Sequence, residues 1–150
     1  LSICKEKGAD YVINYSKEDL RRRIKEITED KGVDVVYDAV GGSLAESALR
    51  SIAWKGRYLV VGFTSGEIPS FPANLALLKG ASIVGVFWGS FAERDPKQSV
   101  QNFAELVAWI KEGKINQHIH KIYSLQQAPQ ALQDLIDRKV IGKAVVRISE

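Results

Sequence analysis

Val33-Asp34-Val35-Val36-Tyr37-Asp38-Ala39-Val40-Gly41-Gly42 is an apolar run rich in β-branched residues that ends in an acid and two glycines. Bounded by turn residues, such a run reads as a strand buried on both faces, the kind found in a parallel sheet covered by helices. In an open α/β sheet, ligands collect outside the carboxyl ends of the strands, so Asp38 to Gly42 is expected on the rim of a binding crevice.

The flanking segments repeat the same rhythm. On the amino-terminal side, Leu1 to Gly8 reads as the last turns of a helix, with Gly8 as its stop. Asp10 to Tyr15 reads as a short strand, followed by Ser16 as N-cap with Asp19 at the third helical position. That helix runs to about Asp30, with Leu20, Ile24 and Ile27 as one apolar stripe and Arg21, Arg22 and Arg23 on the solvated face. On the carboxyl side, Ser43 caps a helix containing Ala45, Ala48, Leu49 and Ile52, and Lys55-Gly56 ends it. Arg57 to Phe63 is a second buried strand, terminating near Gly62. Pro69 and Pro72 keep the next stretch irregular ahead of a short helix at Ala73 to Leu78, and Ala81 to Trp88 is a third strand. The alternation predicts an α/β, doubly wound parallel sheet.

From Gly89 the pattern changes. Gly89 to Pro96 reads as a loop, and Val100, Phe103, Leu106, Val107 and Ile110 mark a long amphipathic helix closed by Gly113. Ile119 to Tyr123 is a strand, Ala128 to Asp137 a helix with Pro129 in its first turn, and Lys143 to Ile148 a last strand.

The totals exclude several function classes. The 150 residues are 45% hydrophobic, and 21 basic against 18 acidic side chains give a net charge of +3 without a basic block. That argues against nucleic acid as the main partner. The single cysteine, Cys4, has no second thiol for an internal disulfide or a CxxC metal knuckle, which favours a reducing, cytoplasmic setting. No apolar run approaches the roughly 18 residues of a membrane span.

With these landmarks placed, the chain resembles the C-terminal portion of the medium-chain dehydrogenase/reductase superfamily, most closely its zinc-free, zeta-crystallin-like quinone oxidoreductase branch. The residues that carry the resemblance are Gly8 to Tyr15, Gly32 to Gly42, Gly56 to Phe63 and Gly142 to Val146, in that order and spacing. The resemblance implies an oxidoreductase whose Rossmann-type domain holds NADPH, or NADH, and which passes hydride to a quinone or an activated alkene. By family position, Val40, Gly41, Gly62, Phe63, Thr64, Phe87 and Trp88 would flank the nicotinamide, and Tyr15 would lie near the adenosine. At Gly41 and Gly62 bare backbone lets a nicotinamide ribose come close, although both glycines also read as simple turn formers. Tyr15, Phe87 and Trp88 read equally well as packing residues.

No catalytic acid or base is assigned. Asp38 ends its strand without the apolar pocket that raises a carboxyl pKa, and is expected to accept hydrogen bonds from nearby amides. His118 and His120 alternate onto one face, but with no further ligands nearby they read as polar surface, and no metal is expected. Lys143 reads as a surface lysine.

The fingerprint G-x-G-x-x-G is nowhere in these residues. In the strand order 3-2-1-4-5-6 the two strands that would fill the middle of the sheet are therefore not among them, and the expectation is an incomplete sheet. Residues 1–89 would be the C-terminal part of a Rossmann domain and 90–150 a return segment that packs on the substrate domain. The strands at Val35, Tyr58 and Ile83 should pair, the Tyr11 segment should lose its partners, and the sequence reads as a fragment inactive on its own. A homodimer through the edge at Ile83 to Phe87 is expected, and a non-enzymatic module that self-associates through the same edge is the alternative.

Overall fold

The computed structural model describes residues 1–149. They form two compact units, Leu1–Gly89 and the residues from Ser90 onward.

The first unit is built on a three-stranded parallel sheet in the order β1 (Val33–Asp38), β2 (Ile52–Val60), β3 (Ser82–Gly85). Between the strands lie α3 (Leu44–Arg50) and α4 (Ala73–Lys79); ahead of them are α1 (Ser2–Glu6) and α2 (Leu20–Ile27). The three strands expected to pair do pair, and the Tyr11 segment lies outside the sheet.

The core forms because α3 and α4 bring apolar faces onto one side of β2. Ala45 and Leu49, four residues apart on α3, pack with Ile52, Tyr58 and Leu75 in a buried cluster. The Tyr58 ring meets Phe71 edge to face at 5.0 Å. Burying side chains of this size stabilises by roughly 1.5–3 kcal/mol each.

Several expected boundaries move. The first strand is not buried on both faces: Val36 and Asp38 turn inward, while Val35 and Tyr37 are 42% and 69% exposed. A period of two sends alternate side chains to opposite faces, and only one face of β1 is covered here by helices. Tyr11 to Tyr15 forms no strand, because β propensity alone does not hold an extended segment without a ladder partner.

Ser16 does not cap α2. Asn14 and Glu18 close a turn first, with the Lys17 and Glu18 amides donating to the Asn14 carbonyl at 2.8 Å. Asp19 becomes the N-cap and accepts from the Arg22 amide at 2.6 Å. The helix stops at Ile27, short of Asp30, since Glu29 and Asp30 take left-handed φ of 51° and 63°.

Lys55-Gly56 does not end α3, which finishes at Arg50. Those residues sit inside β2, where pairing jumps from Val33–Ile52 to Val35–Arg57 and leaves extra β2 residues as a bulge. Lys55 takes φ 62° there, and a Cβ on Gly56 would stand 2.5 Å from Ile52 Cγ1. The second strand also stops at Val60, three residues before Phe63. The segment read as a loop from Gly89 is instead helical: α5 covers Trp88–Arg94, so Trp88 opens a helix and does not end a strand.

The second unit carries α6 (Pro96–Lys111), β4 (Ile119–Ser124), a 3₁₀ turn at Leu125–Gln127, α7 (Ala128–Ile136) and β5 (Lys143–Arg147). Asp95 caps α6 by accepting from the Gln98 amide, with Pro96 in the first turn. The two strands pair in parallel around buried Tyr123, whose hydroxyl donates to Asp134 Oδ2 at 2.8 Å. Along α6, Val100, Phe103, Leu106 and Ile110 are all exposed. Among the described residues no helix is long and apolar enough to cross a membrane.

Candidate functional site

Three parallel strands bring three carboxyl ends to one rim. The last shared rung is Asp38–Val60–Gly85, so whatever follows each strand emerges at the same level. Val40 and Gly41 lie two and three residues beyond that rung on the first strand. Gly62, Phe63 and Thr64 lie two to four beyond it on the second, and Phe87 and Trp88 two and three beyond it on the third. The topology thus brings seven of the eight expected residues to one edge. Tyr15 is not among them; it sits in the irregular segment before α2, largely exposed.

Backbone hydrogen bonds continue past the strand ends and fix the rim. The Val61 amide donates to the Asp38 carbonyl at 2.9 Å, Thr64 to Ala39 at 3.1 Å and Ser65 to Val40 at 3.0 Å. The Gly42 amide donates to the Glu67 carbonyl at 3.1 Å, and the Val86 amide to Val60 at 2.8 Å. This leaves the side chains of Val40, Phe63, Phe87 and Trp88 exposed along the edge.

Asp38 is the hub of the first loop. Its Oδ1 accepts from the Val40 amide at 2.8 Å and the Gly41 amide at 3.0 Å, and its Oδ2 accepts from the Tyr58 hydroxyl. Burial pushes the carboxyl up, but the Tyr58 hydroxyl and the two amides outweigh it and hold the group below its usual range. The Tyr58 phenol moves the opposite way, raised by burial and by the same carboxylate. The expectation that Asp38 serves backbone amides is met, and at neutral pH it is an ionised acceptor. Tyr58 was not singled out from the sequence; the signal was a tyrosine on the strand that pairs with one ending in an aspartate.

The two rim glycines differ in kind. Gly41 takes φ 69°, and a Cβ there would lie 2.9 Å from both the Glu67 carbonyl oxygen and Phe63 Cδ1. Its own loop requires glycine. Gly62 has no left-handed φ, and a Cβ would meet only the Ala39 carbonyl oxygen at an ordinary 3.5 Å. Among the described residues nothing asks for glycine at that position.

A family model described as zinc-binding dehydrogenase matches residues 7–146. The chain belongs to that family. Within the medium-chain dehydrogenase/reductase superfamily, the chain corresponds to the C-terminal portion of quinone oxidoreductase-type members. It is 36% identical over 151 residues to quinone oxidoreductase-like protein 2 homolog of Nematostella vectensis, covering 100% of this chain and 41% of the relative. It is 34% identical to quinone oxidoreductase-like protein 2 of Bos taurus, covering 97% and 42%. Among solved structures, a mycobacterial protein complexed with NADPH superposes with a TM-score of 0.85 at 28% identity, covering 98% and 46%. A quinone oxidoreductase of Pseudomonas syringae gives 0.82 at 27%, covering 98% and 45%. The chain spans less than half the length of the curated relatives named here.

The family description names zinc, which can be tested against the residues in hand. Among the described residues no group of three or more His, Cys, Asp or Glu side chains is arranged to hold a metal. His120 lies on β4 with His118 just before it, both exposed, and Cys4 is exposed and free. These residues do not fit a zinc centre. Lys143 lies on β5, exposed at the surface of the second unit.

Proposed function

We propose that the Asp38–Val60–Gly85 rim is the nicotinamide end of an NADPH site, and that the protein is a zinc-free reductase of quinone oxidoreductase type, acting on a quinone or an activated alkene. The observation that carries this reading is Gly62: a glycine with room for a side chain and no internal need to lack one, at the tip of the central strand. Bare backbone there admits a flat ring or a ribose that a Cβ would hold off. NADH remains the second cofactor candidate, since no residue described here discriminates at a 2′-phosphate.

When bound, the nicotinamide supplies hydride, and the protein's task is positioning and water exclusion. Val40, Phe63, Thr64, Phe87 and Trp88 would form the walls of that position, with Gly41 shaping the first loop. Asp38 holds that loop by accepting the amides of Val40 and Gly41. Tyr15 keeps its proposed place near an adenosine on family position alone. The pyrophosphate-binding glycine loop is not among these residues, so on their own they supply one end of the site and are proposed to be inactive.

Residues 1–89 then act as the C-terminal part of the Rossmann domain and 90–150 as the segment returning to the substrate domain. A reducing, cytoplasmic setting suits the free Cys4 thiol. The outer edge of β3 pairs with no described strand, and Ile83 and Val84 are exposed beside it, which supports a homodimer joined there. The same edge supports the second reading, a non-enzymatic module that only self-associates.

Incubating the full-length protein with NADPH and a benzoquinone, and following loss of NADPH absorbance, tests the first reading. Saturable, enzyme-dependent oxidation is the expected result. Neither turnover with quinones or enones nor saturable NADPH binding, alongside concentration-dependent dimerisation, would leave the module reading in its place.

A further inference from the structure

The opposite end of the same sheet holds a second concavity, of about 230 Å³, where β2 begins. β1 spans roughly 17 Å at about 3.3 Å per residue, so this end is well separated from the rim. Five cations line it, beside the Trp54 indole and Asp30: Arg21 and Lys25 of α2, Lys31 after that helix, which pairs with Glu29 at 3.1 Å, Arg50 of α3 and Lys79 of α4.

The triple arginine of α2 does not behave uniformly. Arg22 and Arg23 both reach Glu26, and Arg23 also pairs with Glu18 at 2.9 Å. Arg21 instead lines the concavity. The charges there are only partly answered: Asp30 takes Lys25 at 3.2 Å, and Glu46 takes Arg50 at 2.6 Å. Among the described residues neither Arg21 nor Lys79 has a carboxylate partner. Lys79 Nζ donates to the Ile52 carbonyl oxygen at 2.7 Å, which fixes the ammonium in place and leaves two of its three hydrogens to give.

We propose that this concavity binds a small phosphate-bearing anion, at a site separate from the nicotinamide rim. Size suits a small anionic group: about 230 Å³, below the roughly 300–1,000 Å³ of pockets that enclose drug-sized molecules, is room for a phosphate or pyrophosphate. Chemistry decides the charge: a guanidinium fork at Arg21 and a pinned ammonium at Lys79 donate to phosphate oxygens, and an anion relieves their mutual repulsion. Consistent with that repulsion, burial, then Arg21 and Lys25, depress the Lys79 pKa.

The test is calorimetric titration of pyrophosphate into the full-length protein at low ionic strength, with the Trp54 indole N–H cross-peak followed in parallel. One saturable site that shifts the Trp54 peak is expected. Arg21→Gln should weaken it about tenfold, and Arg22→Gln, whose residue already faces Glu26, should change it less than about twofold. Both substitutions lie on an exposed helical face, so folding is not at stake. Absence of saturable heat, equal weakening by both variants, or displacement of pyrophosphate by stoichiometric NADPH would overturn the proposal. Preferential uptake of a single-stranded oligonucleotide over pyrophosphate would overturn it as well. None of these outcomes depends on quinone reduction, so this site and the proposed activity fail or stand separately.

Discussion

The Tyr58 hydroxyl donates to Asp38 Oδ2 from one strand to the next, tying the buried core of the first unit to the loop that shapes its rim. Tyr58→Phe keeps the ring and its contact with Phe71 but leaves that carboxylate oxygen without its donor. A hydrogen bond to a charged group contributes about 1.5–3 kcal/mol, and a loss in that range is expected in urea unfolding at neutral pH.

The same pair gives stability a defined pH dependence. Asp38 is held low in the folded state, so its contribution is present above the unfolded carboxyl value near pH 4 and is lost as pH falls through the folded one. Tyr58 is raised, so its contribution is complete below about pH 10 and is lost as pH climbs through its folded value. The difference between the parent and Tyr58→Phe should therefore hold steady at neutral pH and shrink at both extremes. A difference independent of pH from 3 to 11, roughly the span of the two unfolded values, would show that the pair is not formed.

Gly41→Ala and Gly62→Ala should separate folding from binding. The first forces a side chain into left-handed backbone against Glu67 and Phe63, at a cost of about 1–3 kcal/mol. The second should leave the unfolding midpoint nearly unchanged while raising KM for NADPH about tenfold or more, because the added methyl meets the cofactor and not the protein. An unchanged KM would remove the main support for the rim as a cofactor site.

Leu49 is fully buried between α3 and the sheet. Leu49→Ala should destabilise the first unit by about 2–5 kcal/mol, measured by chemical denaturation.

Charging the open edge tests association. Ile83→Lys with Val84→Lys places two ammonium groups beside the unpaired side of β3, and sedimentation should shift from dimer to monomer. A dimer that survives both substitutions is joined somewhere else.

What was legible in the sequence was local. Helices α3, α4, α6 and α7 follow from apolar residues between turn signals, although Ser43 makes no side-chain cap bond on α3, and β1, β3, β4 and β5 follow from β-branched runs between turn residues. The parts that escaped depend on distant partners. Tyr11 to Tyr15 has the composition of a strand, yet a ladder is made by two segments and no described strand pairs with this one. The bulge at Lys55-Gly56 looked like a stop because both residues suit turns, and only the jump in pairing with Val33 and Val35 reveals a strand passing through. Of the eight residues that the resemblance implied for the site, seven follow the carboxyl ends of β1, β2 and β3 and share an edge because parallel strands end together, while Tyr15 lies elsewhere. The bond from Tyr58 to Asp38 spans 20 positions, and the concavity that Arg21 lines is made with residues of α3 and α4, whereas Arg22 finds Glu26 within its own helix.

Asp38, fastened by three donors and held ionised, has no proton to lend. In a reductase assembled on this rim, the hydrogen that follows the hydride onto product would have to come from a source other than Asp38, such as bulk water. With an enone as acceptor, deuterium from heavy water at the protonated carbon, delivered at an undiminished rate in Asp38→Asn, would be the signature of such a division of labour between the two transferred hydrogens.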